Sequence, residues 1–441
     1  MIPLDPRPIY RQLSSRTGHS YLLQVPETGE AWIGCQPRRV VSYARGAFRV
    51  SESGQPPSAP VASKAPLRDV RQFLTPGSPA FFLVSLDLGR GQADDDVPLV
   101  IFIEPEAEIL LPGLKGKPPS VYATSPSRRV SVEEALSRLS RAGTAPIPRA
   151  TRPASMEGWD NEGDERFAER LESAIGILQQ RAGETAKMIL MRPFERRLPE
   201  GLDPFRLYEI YTTIEPQSAA SHYAELAGGI ASMGCSPENI FELRAGEITF
   251  DVIAGTRGIS PDPEKDKRWA AELQSDPKEI REHDMALGRY RKRLEQICEP
   301  GAIRMDKHHD VRTLRAVRHL YSRLTGRLKK GRDFLTLIEE SYPPLASYPK
   351  ELIPLSDPMD FPTRYYGGVA GHVEHGWESA RCYCNLRAVL VKPGVIHTIG
   401  GVGVIAESVP HLESIEVHNK LRALAESVAL WEGEAGHGAA R

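Results

Sequence analysis

Two glutamates, Glu413 and Glu416, stand three residues apart near the end of the chain, and Lys420 follows four residues after the second. On a helix that spacing sets all three side chains on one face. Two carboxylates one turn apart can share a divalent cation, although the same pattern taken alone is more often a solvated face with a Glu416–Lys420 pair. Just before them comes Gly400-Gly401-Val402-Gly403-Val404-Ile405, which reads as a glycine-rich turn feeding a helix N-terminus. Backbone N–H groups and the helix dipole at such a turn favour an anion. Its spacing matches neither the dinucleotide nor the P-loop fingerprint, and glycine also serves close packing.

Other residues carry chemistry only in the right setting. Glu282-His283 falls early in a helical run, where an acidic side chain can simply favour the dipole. In Ser236-Pro237-Glu238 the proline sets a turn that can hold Glu238 in a pocket. Ile253-Ala254-Gly255-Thr256-Arg257-Gly258 closes a β-rich run with hydroxyl and guanidinium groups suited to a carboxylate. His319 reads as a core histidine with one hydrogen bond. Lys187 heads the run KMILMR; such a lysine is usually a solvated strand end, and only a desolvated one becomes a general base.

The elements that must position these groups change character along the chain. Residues 1 to about 150 read as short strands, at Tyr21–Val25, Ala31–Gly34, Ala80–Leu86 and Leu99–Ile103, broken by Pro, Gly and Asp clusters. Ser51–Lys64 and Arg149–Asp164 read as irregular. From 165 to 430 helices alternate with β-rich segments: a helix over Glu165–Arg181, strands near Met188–Leu190, Ile248–Ala254, Arg387–Val391 and Val395–Gly400, and a last helix from about Ser408, with 431–441 as a tail. The clearest helix has Asp276 as its cap, Pro277 at the first position and Glu279 three residues after the cap, and Pro300-Gly301 closes it. This order suggests an α+β protein.

Bulk properties exclude several classes. Lysine plus arginine total 56 against 58 acidic residues, so a net charge of −2 provides no field to gather nucleic acid or an anionic membrane. No run of about 18 apolar residues occurs and the N-terminus has no signal-peptide core, so no membrane role and a cytoplasmic location are expected. The five cysteines are scattered, with Cys382 and Cys384 too close for a CxxC pair, and read as buried free thiols.

In order, SPENIFEL (236–243), IAGTRG (253–258), KEIREH (278–283), VRHLYSRLTG (317–326), YYGG (365–368), NLRAVL (385–390) and GGVGVIAESVPHLESIEVHNK (400–420) resemble the chorismate-utilising family, most closely its salicylate synthases. The resemblance covers about residues 165–430. It implies one large α+β domain, layered β-sheets flanked by helices around a central cleft, with residues 1–150 as a β-rich part of the same fold. It implies Mg²⁺ held by Glu282, Glu413 and Glu416. Gly255, Thr256, Tyr366, Arg387, the Gly401–Gly403 backbone and Lys420 would then contact chorismate. By the same likeness Glu238 protonates the departing C4 hydroxyl, His319 lines the ring site and Lys187 is the general base, which requires an uncharged amine.

Members of the family that add ammonia usually carry glutamine where Lys187 stands, and those that add water carry lysine. Aminodeoxychorismate synthases often have lysine where Ala254 lies. The resemblance therefore implies water addition at C2 with loss of the C4 hydroxyl, giving isochorismate and, in salicylate synthases, salicylate plus pyruvate for siderophores. The chain departs from the family at Pro344-Leu345-Ala346-Ser347-Tyr348-Pro349-Lys350, where proline replaces a threonine and serine a glycine. That departure leaves the pyruvate-eliminating step open, and the bulk of Tyr348 points to a reshaped pocket floor. Two other readings stand beside this one: an ammonia-dependent synthase of the anthranilate type, and a chorismate-binding protein without turnover. No glutaminase domain is recognisable, and a glutaminase subunit is disfavoured.

Overall fold

A computed structural model describes residues 5–14, 18–90, 97–113, 118–139, 155–181, 186–199, 201–314, 316–356 and 361–438. Residues 149–154 of the irregular stretch expected before the first long helix lie outside them. Two long strands, Glu30–Ala44 and Val100–Pro112, pair along most of their length and form a spine shared by two antiparallel sheets. From Glu30–Ala44 one sheet continues through Ser20–Val25, Ala220–Leu226, Ile230–Ser236, Ala388–Lys392 and Val395–Val404 to Met188–Arg197. From Val100–Pro112 the other continues through Ala80–Val84, Val369–Val373, Ser379–Cys384, Asn239–Arg244 and Glu247–Gly258 to Val317–Arg327 and Arg304–Thr313.

Side-chain alternation explains how the sheets stack. Successive strand residues point to opposite faces. Tyr21, Leu23, Phe81 and Leu83 meet between the sheets, in one core with Trp32, Ile101 and Tyr383. Leu22 turns the other way, into a second core with helices Asp164–Gln179, Pro204–Ile214 and Pro410–Gly438. Phe82 and Val84 turn outward from the other sheet, onto helices Pro277–Ile297 and Phe334–Ser341. The result is two helix layers around two sheets. Strands covered on both faces read as continuous apolar runs, which is why YLL and AFFLV show no polar alternation.

Several sequence expectations change. Gly400–Gly403 are not a turn at a helix N-terminus: they lie inside the strand Val395–Val404, paired with Met188–Arg197 over its whole length. Glycine is required there by close approach. A Cβ on Gly400 would sit 2.6 Å from Val417 Cγ1, and one on Gly401 2.5 Å from the Tyr366 hydroxyl. The Asp276-capped helix ends at Ile297, before Pro300-Gly301, because Cys298 is already extended. The C-terminal helix runs unbroken to Gly438, so residue 430 is not where an element stops and a tail begins. Ser51–Lys64 is largely exposed and irregular, apart from Ser51 and Glu52, which end a strand paired with Val40 and Arg39, and Val61–Ala62, which pair with Phe48 and Ala47. All five cysteines are free and buried. Among the described residues no helix is long and apolar enough to cross a membrane.

Candidate active site

The helix Pro277–Ile297 is fixed at its start from three sides. Asp276 caps it by accepting from the Lys278 N–H at 2.8 Å. Glu279 does not return to the cap as the capping-box spacing suggests; it accepts the Thr256 N–H at 2.7 Å instead. That bond depends on Gly255, whose φ of +81° lies at a register shift between Ala254 and Thr256. A bulge of this kind re-aims the strand locally, and a Cβ at Gly255 would come within 3.0 Å of the Glu279 carbonyl oxygen. One turn on, buried His283 bonds the Ala254 carbonyl at 3.0 Å and the Ser322 hydroxyl at 2.8 Å. Burial holds its imidazole neutral, lowered to about 4.

Anchored in this way, Glu282 points at the start of the C-terminal helix. Between them the Lys278 ammonium lies 3.1 Å from Glu413, 3.2 Å from Glu279 and 3.7 Å from Glu282. Burial opposes charge on Lys278, but Glu282, Glu413, Glu279 and Glu416 together outweigh it and raise its pKa. Glu413 is raised to about 7, first by burial and then by Glu416. For Glu282 burial acts upward, yet Lys187 and Lys278 more than offset it and its pKa is lowered. Glu416 turns aside to Lys420 at 2.7 Å. Glu279, Glu282 and Glu413 thus surround one ammonium, and with Glu416 beside them they make an oxygen-only, electron-rich donor set that suits a hard divalent cation. Among the described residues the expected ligands Glu282, Glu413 and Glu416 do not form a set with ligand oxygens all within 4.8 Å of one another; Lys278 supplies positive charge between Glu282 and Glu413.

Lys187 immediately precedes the strand Met188–Arg197, and its main chain exchanges two 2.8 Å hydrogen bonds with Tyr348. Its Nζ donates to Glu282 at 2.7 Å. The side chain reaches that carboxylate across Gly403, where a Cβ would lie 2.2 Å from Lys187 Cε. Lys187 therefore rests against a member of the carboxylate cluster. Lys420 crosses the same strand and donates to the Gly401 carbonyl at 3.0 Å.

Glu238 occupies the turn between Ile230–Ser236 and Asn239–Arg244. Its own N–H is bonded to Ser236 Oγ and its carboxylate accepts from the Ile253 N–H at 3.2 Å. Burial dominates its chemistry, pushing the carboxyl up to about 8 against the Ile253 bond, with Asp251 adding to the rise and Lys187 and Arg312 opposing it. This acid is protonated at neutral pH. His319 lies on Val317–Arg327 between the Thr256 hydroxyl at 3.1 Å and the Arg387 guanidinium at 3.3 Å. Arginine can only donate, so Nε2 accepts and Nδ1 carries the proton toward Thr256. Burial and the charge of Arg387 keep that ring neutral. Arg387 is itself oriented by buried Glu215 at 3.5 Å.

Lys187, Glu238, Gly255, Thr256, Glu282, His319, Tyr366, Arg387, Gly401, Gly403 and Lys420 line one cavity, drawn from both sheets. Glu413 and Glu416 line the adjoining depression, which shares Thr256 and adds Lys278, Glu279 and Asn419. Sequence reasoning passed over Lys278, Glu279 and Glu215. The first two were legible as helix neighbours of Glu282 at i−4 and i−3; nothing local marks Glu215. Arg257 turns away from the cavity to pair with Asp276 at 2.6 Å. In the 344–350 stretch Leu345 enters the wall of this cavity, and Pro344 to Tyr348 line a second hollow that shares Lys187 and Glu238 with it, Tyr348 being 44% exposed. Ser347 fixes the strand beside Lys187 by accepting the Ile189 N–H at 2.9 Å.

A family model described as chorismate binding enzyme matches residues 18–426. The anthranilate synthase component 1 of Streptomyces coelicolor is 31% identical over 78% of this chain and 67% of its own length. That of Thermus thermophilus is 28% identical over 96% and 95%. Among solved structures, the menaquinone-specific isochorismate synthase of Escherichia coli superposes with a TM-score of 0.70 at 19% identity, covering 96% of this chain and 91% of its own. A putative 2,3-dihydroxybenzoate-specific isochorismate synthase from Bacillus anthracis gives 0.69 at 17%, covering 96% and 99%. At these identities the structural likeness speaks for the fold alone.

Proposed function

The chain belongs to the family of chorismate binding enzymes, and from that premise we propose that it isomerises chorismate to isochorismate by adding water at C2 and expelling the C4 hydroxyl. The observation that carries this reading is the pairing, in one cavity, of a fully buried carboxyl, Glu238, which burial pushes up to about 8, with a lysine rather than an amide at 187. The Lys187 ammonium that rests on Glu282 first gives up a proton to solvent, and the free amine then takes one from the attacking water. Glu238 gives its proton to the C4 oxygen as that bond breaks. One water enters and one leaves, so substrate and product are isomers.

Chorismate carries two carboxylates, and the cavity offers matching cations and donors. Arg387, held by Glu215 and His319, and Lys420, held by Glu416 and the Gly401 carbonyl, present fixed positive charge. Thr256, Tyr366 and the main chain at Gly255, Gly401 and Gly403 complete the wall. Glu282, Glu413 and Glu416 would hold Mg²⁺, which supplies neutralisation of the ring carboxylate when bound. Elimination of pyruvate to salicylate is the further step of this reading.

A second reading is favoured by the curated relatives, which are anthranilate synthase components: ammonia, free or from a glutaminase partner, replaces water. Incubation of the purified chain with chorismate and Mg²⁺, with and without ammonium, followed by chromatography and mass spectrometry, decides among these. Isochorismate is expected, salicylate appearing only if the second step operates. An amino product with ammonium would establish the alternative, and binding by calorimetry without consumption would make the chain a chorismate-binding protein.

Gly403→Ala tests the placement of Lys187. The added methyl meets the far end of the lysine and, at 3.0 Å, the Glu282 carboxylate, but not backbone, so the fold should accommodate it while Nζ moves by an ångström or more and its contact with Glu282 is disturbed. Misplacement on that scale costs about 10²-fold in turnover. Steady-state kinetics should show that loss, with a melting temperature close to the parent's; unchanged kinetics would mean that the position of Nζ is immaterial.

A further inference from the structure

We propose that Asp284, His308 and His309 form a binding site for a late first-row divalent cation of the zinc class, separate from the carboxylate cluster and independent of the reading of the reaction above. One ligand atom from each of the three lies within 4.8 Å of the others. Asp284 Oδ1 is 2.8 Å from His309 Nε2 and 4.0 Å from His308 Nε2. An ion with tetrahedral bonds of about 2.0–2.2 Å sets its ligand atoms roughly 3.3–3.6 Å apart, and the two distances bracket that value. Two imidazoles and one carboxylate favour zinc, cobalt or nickel over magnesium, which prefers oxygen donors.

Neighbouring strand residues should face opposite ways, so adjacent histidines would not normally share a ligand. Here they do. The strand Arg304–Thr313 loses register with its partner between Lys307 and Asp310. Within that irregularity His309 takes a φ of +54°, a left-handed conformation uncommon outside glycine. The two rings consequently stack, with centroids 3.8 Å apart, on the side that faces Asp284. The backbone is held in this shape by the His309 N–H on Ser322 Oγ at 3.2 Å and by Gln274 on the His309 carbonyl at 3.1 Å. Ser322 Oγ is also the partner of His283. A cation here would clamp the hairpin that carries His319 to the helix that carries Glu282. Asp284 and His308 are half exposed, leaving coordination positions open to water.

The test uses the full chain in excess Mg²⁺, titrated with Zn²⁺ by calorimetry and with Co²⁺ by visible absorption. One equivalent is expected, with the strong cobalt bands of low coordination number. Losing a group that merely supports a ligand costs 10–100-fold in affinity, so His308→Ala and Asp284→Asn should each weaken binding by at least about ten-fold. His309→Asn, which keeps a residue tolerant of the left-handed conformation, should do the same. Equal melting temperatures of parent and variants without metal would show that the fold is intact. No binding, binding unchanged in these variants, or binding abolished instead by Glu413→Gln would overturn the proposal.

Discussion

Glu238→Gln is expected to lower kcat on chorismate by about 10²–10⁴-fold, the usual contribution of a positioned acid, with little change in KM. Glutamine keeps the shape and can still accept the Ile253 N–H, but it has no proton to give to the C4 oxygen. The parent enzyme should lose activity as pH rises through about 8, where Glu238 ionises, and this limb should vanish from the variant's residual profile. The substitution should act on stability in the opposite sense to its action on turnover. A carboxyl raised from 4.5 to about 8 binds more proton folded than unfolded, so it favours folding less and less as pH climbs between those values. Glutamine removes that penalty, and the variant should melt above the parent at pH 8. Loss of turnover with a gain in melting temperature would identify a site held charge-averse for chemistry. Full activity in Glu238→Gln would end the assignment of this acid.

Replacing Lys187 should be nearly as damaging, and two substitutions separate its possible duties. Lys187→Arg preserves a cation for Glu282, yet a guanidinium cannot give up its proton; Lys187→Gln preserves neither charge nor base. If Lys187 takes the proton from water, both variants should lose about 10²–10⁴-fold in kcat for isochorismate formation. If Lys187 serves only to balance Glu282, arginine should restore most of the rate. Ammonium added to Lys187→Gln provides a third readout, because an amino product would show that residue 187 selects the nucleophile. Water addition unaffected in both variants would remove Lys187 from the mechanism.

What the sequence disclosed follows from the range of the forces involved. The Asp276 cap, Pro277 and the apolar spacing behind them are local, and the helix forms where they indicate. The ordered motifs led to the residues of one cavity and of the depression beside it because each carries its chemistry in its own side chain. The readings that failed depended on distant partners. Gly400–Gly403 looked like a turn because glycine marks turns, whereas the pressure for glycine comes from Val417, Tyr366 and Lys187, each remote in sequence from the glycine it crowds. Glu279 looked like half of a capping box until Thr256, presented by the bulge at Gly255, claimed its carboxylate. Lys278 was quoted within a motif yet not weighed, since only the tertiary fold brings Glu413 to it.

The shared spine of the two sheets also governs how the polypeptide can be made. Val84 lies opposite Val369, and Tyr21 opposite Ala224, so early-synthesised strands wait for partners that leave the ribosome much later. Until then they present open, apolar edges of the kind that recruit other chains. Splitting the gene near residue 150 would produce two fragments with complementary raw edges, each lacking part of the cores they share. Such halves should be recovered by co-expression and not by separate purification.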